Sequence, residues 1–460
     1  MEECSLKFVA EACGAEIRGG AANTTIKNVC ADSRRAKPGD VFFAIKGENF
    51  DGHDFVNEVA GKKVAAVVVE RKKVPSPLPE CAALVVEDVR AALGKFAAAY
   101  RRSIHIPIVC VCGSNGKTTT KELIASALRQ KFTTLWSEAS FNNDIGVPLT
   151  LLRMEKTHHV AVLEAGTNHP GELAPLVEMI RPQFGVLTNI AREHLEFFGD
   201  LAGVAREEGQ LAEQLPPGGT LFVNGDNEWT DEIVRRTRAK VIRVGFGDRN
   251  DWRAEKVRLD KGGATFQVVT AKKDFCGEYR VPLLGRHQVM NALFAAVVSE
   301  ELGVARAEIQ RGLADCKPPK MRMQFWEANG IRVLDDAYNA NADSMVAALE
   351  TLRDLPLQGR RVAVLGDMGE LGAHSEAAHA EVGRRAAELK VGQLFAVGKM
   401  APVMAKAARD AGLPRVIEFE NVEAATKAIK GFLKSGDVIL LKASRSTRLE
   451  RIAETLKAEK

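Results

Sequence analysis

Residues 113–120 read Gly-Ser-Asn-Gly-Lys-Thr-Thr-Thr, directly after the apolar run Ile106–Cys112 and just before a helical pattern over Lys121–Gln130. Strand, glycine-rich turn and helix in that order suit a phosphate. Gly113, Ser114, Asn115 and Gly116 let backbone N–H groups curl around an anion, and the helix N-terminus points its dipole at it. Lys117 then reaches the β/γ phosphates, while the Thr118 hydroxyl, beside Thr119, binds Mg²⁺. The full nucleotide-loop pattern carries one more glycine five residues before Gly116, where this chain has Val111, so the loop is a shortened one. The alternative is a glycine-rich turn with an incidental Lys-Thr. The strand before it and the helix after it favour an ATP-type site.

Three further side chains fall where they can act on a phosphate. Glu164 ends the strand-like run Val160–Leu163, and His194 follows the run Leu187–Ile190, both at strand ends that open onto loops. Ligands of doubly wound sheets bind at such carboxyl ends, and a carboxylate there suits Mg²⁺. Glu208 lies three or four residues from Val204, Ala205, Leu211 and Ala212 in a helical pattern over Leu201–Leu215, which puts it on the apolar stripe. A carboxylate on that face must be paired, protonated or metal-bound, unless it sits half exposed at the stripe's edge.

These residues need a scaffold, and the chain supplies three α/β segments. In residues 1–103, Val41–Ile45 and Val64–Val69 read as buried strands, and Val89–Arg102 as a helix. In residues 104–316, the strand-like runs Ile106–Cys112, Val160–Glu164, Gly185–Asn189, Thr220–Asn224 and Lys240–Gly245 alternate with helical patterns. That alternation predicts a parallel sheet. Residues 252–282 read as antiparallel strands. After the linker Lys317-Pro318-Pro319, residues 317–460 show five strand candidates separated by helices: Arg332–Asp335, Arg361–Gly366, Gln393–Val397, Arg415–Phe419 and Val438–Lys442. This is a second doubly wound unit.

Composition narrows the function classes. Of 460 residues, 64 are Lys or Arg and 60 Asp or Glu, a net +4, too little for a polybasic nucleic-acid or membrane binder. No run of eighteen apolar residues and no signal segment at Met1–Arg18 is present, so a cytoplasmic chain without membrane insertion is expected. Eight cysteines with no C-x-x-C pair rule out a disulfide scaffold or zinc framework, and Cys110 and Cys112 read as small core residues.

The chain resembles the Mur ligase family of ATP-dependent amide-forming enzymes of peptidoglycan synthesis. The matching stretches are Gly113–Thr119, Phe141–Pro148, Glu164–Glu172, Asn189–Leu195, Gly285-Arg286-His287 with Asn291, Met321-Arg322-Met323, Asp335–Asn341, Gly366–Gly372 and Lys442–Ser446, spread over essentially the whole length. The motifs N-N-D-I-G-V-P, N-H-P-G-E, D-A-Y-N-A-N and G-D-M-x-E-L-G are similar to the branch that adds D-alanyl-D-alanine to a UDP-N-acetylmuramoyl-tripeptide. The resemblance implies a UDP-sugar-binding first domain, where Asp32-Ser33-Arg34 and Lys46-Gly47-Glu48 match, so that Ser33, Arg34 and Lys46 would meet substrate. It implies a central ATP-binding domain and a C-terminal Rossmann-like domain for the dipeptide. Asn291 would meet adenine, Asp336 the ribose and Arg322 the terminal phosphate. Asn142 and Asn143 would lie near the muramoyl-peptide, and Tyr338, Asn339 and Ser444 would complete the substrate contacts. Lys117, Glu164, His194, Glu208 and Arg322 form the expected catalytic set, with Thr118, Glu164, His194 and Glu208 on Mg²⁺. A monomer is expected.

Where the family commonly has a lysine carbamylated by CO₂, this chain has Glu208, which would supply that carboxylate directly. A carbamylated lysine reaches ~3–4 Å further, so either the helix sits closer or a water bridges Glu208 to Mg²⁺. Gln288 stands where Asn is frequent, and Ala342 where Pro is. His379 could touch the dipeptide or sit on a helix surface. Rival readings are another Mur-type or folylpolyglutamate-type ligase, and a non-catalytic ATP-binding regulator, for which Glu208 would mark a broken metal site.

Overall fold

A computed structural model describes residues 1–356 and 358–458; the last two positions of the expected 317–460 domain lie outside the described residues. The chain forms two compact units: Met1–Cys110 with Phe132–Thr167 and Ala174–Gln183, and Val111–Lys131 with Asn168–Leu173 and Phe184–Lys460.

In the first unit a five-stranded sheet runs in the order Glu16–Arg18, Ala82–Val86, Ala66–Glu70, Asp40–Phe43, Asn28–Cys30, parallel except at its first strand. Every residue of Ala82–Val86 and Asp40–Phe43 is buried, as expected for strands covered on both faces. Phe42 and Val67 pack on one face, and Phe43 stacks on Phe96 of the helix Val89–Ser103 on the other, their ring centres 6.3 Å apart. The same unit pairs Thr134–Trp136 with Val160–Glu164 in parallel.

In the second unit the parallel strands Phe184–Leu187, Thr220–Asn224, Lys240–Gly245 and Trp252–Asp260 continue into an antiparallel meander, Gly263–Thr270 and Gly277–Val281. The expected helix over Leu201–Leu215 is two helices, Leu201–Glu208 and Gln210–Gln214. They meet at Gly209, where the Arg236 guanidinium donates to the Ala205 and Arg206 carbonyls. A side chain on Gly209 would collide with that guanidinium.

Residues 317–320 form an irregular connection, after which six strands run in the order Gln324–Ala328, Ile331–Asp335, Val438–Lys442, Arg361–Gly366, Gln393–Val397, Val416–Phe419. All but the first pair are parallel. The period of two splits their side chains cleanly. Leu334, Ala363, Leu365 and Leu440 enter one core, and Val333, Val362, Val364, Ile439 and Leu441 the other. The sequence reading missed Gln324–Ala328. Asn329-Gly330, both at positive φ, make the hairpin turn that joins this strand to Ile331–Asp335.

Candidate active site

The strand Ile108–Cys112 is buried throughout and delivers the chain to Gly113. Gly113 has φ +113°, and a Cβ there would lie 2.3 Å from Thr188 Oγ1. Gly116 has φ +84°, and its Cβ would lie 2.6 Å from Asn291 Oδ1. Only glycine meets both demands. The helix starts at Lys117, four residues before the expected Lys121, and buries Thr118, Thr119, Thr120 and Lys121 in its first turns.

The protein itself holds much of this loop. Ser114 donates its N–H to the Asn189 carbonyl at 2.9 Å, Asn115 donates its N–H to Asn189 Oδ1 at 2.8 Å, and Gly113 donates its N–H to Glu208 Oε2 at 2.7 Å. The Ser114 hydroxyl exchanges hydrogen bonds with the backbone of Ala191. The helix that begins at Lys117 points the positive end of its dipole at this loop. Lys117 Nζ folds back onto the Gly113 carbonyl at 2.5 Å and lies 3.6 Å from Glu193.

Glu208 is 1% exposed, which excludes the half-exposed alternative. Its Oε2 reaches the loop amide directly, so the helix does sit close to the loop. Its Oε1 is buried with no hydrogen-bond partner. Burial pushes the carboxyl up to about 8, with Lys117 and the Gly113 N–H opposing and Glu193 adding to the rise. Next to it, Glu207 accepts the Gly171 and Leu173 N–H groups at 2.9 and 2.8 Å.

His194 stands at φ +49°, ahead of the short helix Leu195–Phe198. Its Nδ1 is hydrogen-bonded to Glu370, and its Nε2 lies 3.8 Å from Glu193. The imidazole holds the Glu370 carboxyl below its usual range. Glu193 thus lies between Lys117 and His194. Sequence reasoning gave it no role, although its place beside His194 in Arg192-Glu193-His194 was a signal. Arg192 was missed as well: its guanidinium forks onto Asp343 and Glu381, with contacts of 2.6 Å to each.

Beyond the linker, Asp336 pairs with Lys442 at 2.6 Å and accepts the Met323 N–H. Arg322 lies over the Tyr338 ring, 4.0 Å from its centre. The Asn339 side chain accepts the Ala340 N–H, and its carbonyl accepts from Lys442. Ser444 donates to the Ala340 carbonyl and accepts the Gly369 N–H. The Asn341 amide bonds Asn115 of the phosphate loop at 3.0 Å and also caps the helix Ala342–Asp354. His379 is fully buried, accepting the Met368 N–H and donating to the Ser375 carbonyl, so it is neither a surface residue nor open to a ligand.

In the first unit, Glu164 is 1% exposed and accepts from Asn142 Nδ2 at 2.8 Å. Asn143 is exposed, and its side-chain oxygen accepts the Ile145 and Gly146 N–H groups. Asp32 caps the turn holding Ser33 and pairs with the exposed Arg34 at 2.7 Å, while the backbones of Lys46 and Asp51 form an isolated antiparallel bridge. Among the described residues, no group of three or more His, Cys, Asp or Glu side chains is placed to hold a metal ion.

Three family models match this chain: "Mur ligase family, catalytic domain" over residues 25–101, "Mur ligase middle domain" over 111–299, and "Mur ligase, glutamate ligase domain" over 321–445. A UDP-N-acetylmuramoyl-tripeptide–D-alanyl-D-alanine ligase of Escherichia coli (strain K12) is 36% identical over 464 residues, covering 99% of each chain. The chain belongs to the Mur ligase family.

The Bacillus subtilis (strain 168) ligase of the same name is 33% identical, covering 94% of this chain and 93% of its own. A Mur ligase crystal structure, MurF from Acinetobacter baumannii, superposes with a TM-score of 0.90 at 33% identity over the whole of both chains. MurF from Thermotoga maritima in complex with ADP superposes with a TM-score of 0.81 at 27% identity, covering 94% of this chain and 97% of that one. The three-domain α/β architecture expected of the sequence is the Mur ligase architecture.

Proposed function

We propose that this Mur ligase joins D-alanyl-D-alanine to UDP-N-acetylmuramoyl-tripeptide at the expense of ATP, giving the UDP-pentapeptide of peptidoglycan synthesis. The observation that carries the reading is the Gly113–Thr119 loop, braced from behind by a buried carboxylate and set beside Lys117, Glu193 and His194. The full-length similarity to ligases of that name supports the choice of substrates. We assign the domain limits to 1–103, 104–316 and 317–460.

A peptide carboxylate is a poor electrophile until one of its oxygens bonds the terminal phosphorus of ATP and the bond to ADP breaks. The chain's part in that step is positioning and charge neutralisation, by the loop helix, Lys117 and Arg322. The dipeptide amine then attacks the acyl carbon and phosphate leaves, with cationic side chains stabilising the tetrahedral oxyanion.

The unpartnered Glu208 oxygen is a hard donor of the kind Mg²⁺ takes, so the residues present fit that ion. Mg²⁺ would neutralise phosphate charge as a Lewis acid. Thr118, His194 and Glu208 would hold it, and we assign Glu164 to it on residue type and strand-end position alone. In this reading Glu208 supplies directly the carboxylate that a carbamylated lysine would otherwise provide. We further propose that the enzyme works as a cytoplasmic monomer. Among the described residues no helix is long and apolar enough to cross a membrane.

Phosphate release from ATP with Mg²⁺ and UDP-N-acetylmuramoyl-tripeptide, with and without D-alanyl-D-alanine, tests the proposal. Release that requires the dipeptide and yields UDP-pentapeptide is expected. No release with either common tripeptide would overturn it in favour of another acceptor or a binding-only protein.

A further inference from the structure

The stretch Gly366–Gly372 leaves the end of the strand Arg361–Gly366 and has no part in the chemistry proposed above. Its backbone is pinned at successive residues. The Met368 N–H donates to the buried His379 imidazole at 2.9 Å, and the Gly369 N–H donates to the Ser444 hydroxyl at 2.7 Å. Met368 and Leu371 are buried. Between these anchors Glu370 stands out at φ +57°.

Glu370 meets the short helix Leu195–Phe198 twice. Its carbonyl accepts the Glu196 N–H at 3.1 Å, one of the first-turn donors that a helix leaves unsatisfied. Its carboxylate is hydrogen-bonded to Nδ1 of His194, the residue that precedes this helix. At the other end of the helix His374 Nε2 donates to the Gly199 carbonyl at 2.9 Å. His194 itself stands at φ +49°. Two non-glycine residues 176 positions apart thus both adopt left-handed backbone where their side chains join. That conformation costs free energy and recurs at functional sites.

The contact also sets the state of the ring. An ionised carboxylate only accepts, so Nδ1 carries the hydrogen and the lone pair of a neutral imidazole lies on Nε2. Nε2 is 3.8 Å from Glu193, too far for a hydrogen bond, and Glu193 is 3.6 Å from Lys117 of the phosphate loop. The electron pair that a cation needs is therefore on the side of the ring that faces Glu193, while Nδ1 is held by Glu370.

We infer that Glu370 is a positioning residue for the metal site, fixing the orientation of His194 and its Nδ1–H tautomer so that Nε2 is available to Mg²⁺. The inference rests on the proposal that His194 binds that ion, and it gives Glu370 no contact with substrate. A carboxylate on the second nitrogen of a ligand histidine orients the ring and raises its basicity, and losing such a partner weakens metal binding about 10–100-fold.

Two measurements on the full-length protein test this. Mn²⁺ is titrated in the presence of one equivalent of ADP and read by water-proton relaxation, which separates protein-bound from nucleotide-bound ion. Long-range ¹H–¹⁵N spectra of the metal-free protein report the His194 tautomer, its signals assigned among the nine histidines by their loss in His194→Asn. The parent should show a protonated Nδ1 and an unprotonated Nε2. Glu370→Ala should raise the Mn²⁺ Kd about 10–100-fold and move the proton towards Nε2, while the backbone bond to Glu196 survives. Glu370→Gln keeps a bond to Nδ1 but can offer either its oxygen or its NH₂, so its Mn²⁺ affinity should fall between those of the parent and Glu370→Ala.

Parent-like Mn²⁺ affinity in Glu370→Ala would overturn the inference, as would weakened affinity with the parent's tautomer, or a Glu370→Gln protein weaker than Glu370→Ala. If Glu370→Ala does not fold, Glu370→Gln decides alone, and parent-like Mn²⁺ affinity there overturns the inference. A His194→Asn protein that binds Mn²⁺ as the parent does would instead overturn the metal assignment on which the inference stands. A parent that binds neither ADP nor Mn²⁺ would overturn the functional proposal itself.

Discussion

Glu208 Oε2 accepts the Gly113 N–H at 2.7 Å, while the other oxygen of the same carboxyl group is buried without a partner. One side chain thus braces the phosphate loop and presents an unsatisfied oxygen beside Lys117. An unsatisfied buried carboxylate oxygen is costly, and a cation or a proton relieves that cost.

Glu208→Gln keeps the shape and can keep the bond from Gly113, but it loses the charge. Turnover should fall about 100-fold or more, the scale of losing a metal-site carboxylate. Activity of the parent should be the same with and without added bicarbonate. Initial-rate assays in degassed and bicarbonate-supplemented buffer check both, and near-normal turnover of the variant would remove Glu208 from the metal site.

Gly113→Ala places a methyl group where Thr188 Oγ1 already sits, at a backbone φ of +113°. The backbone strain alone is worth about 1–3 kcal/mol, and the loop must shift besides. Loss of measurable ATP binding is expected, together with a lowered urea midpoint. Parent-like ATP affinity would contradict the loop assignment.

Arg192→Ala cuts the fork onto Asp343 and Glu381, side chains about one-third exposed. Solvent screening limits the loss to about 1 kcal/mol of unfolding free energy. The Asp343 bond to the Arg192 backbone N–H survives the substitution. Equilibrium urea unfolding of both proteins measures the difference.

His287 is one residue through which acid should act. Desolvation pushes its pKa down to about 4, from an ordinary value of 6.5. Between those values the unfolded chain binds more protons than the folded one, so stability rises with pH across that window and is lost as pH falls through it. His287→Asn removes the titration and should flatten the fall in Tm between pH 6.5 and pH 4 relative to the parent. Parallel melting curves for the two proteins would contradict the assignment.

Much of the scaffold was legible because buried parallel strands leave an unambiguous mark. Thr220–Asn224, Lys240–Gly245, Arg361–Gly366, Gln393–Val397 and Val438–Lys442 stand where the apolar runs put them. The edge strand Gln324–Ala328 escaped notice because it is only partly buried and carries no apolar run. Its one signal was the Asn-Gly turn behind it. The break at Gly209 was likewise invisible, since it depends on an arginine 27 positions further on.

By itself the sequence determined the glycine-rich loop, the order of most strands and helices, and the place of Glu208 on an apolar stripe. Each of these follows from neighbours a few positions apart: glycines before a helix, a period of two or of 3.6, a carboxylate on an apolar stripe. Tertiary structure alone decided what those residues touch. It set the Gly113 amide on Glu208 across 95 positions, Glu193 between Lys117 and His194, and Thr120 in line with Asn291 and Gln288. Hydrogen-bond direction and the pairing of buried charges depend on atoms brought together by packing, and no local pattern of residue types encodes them.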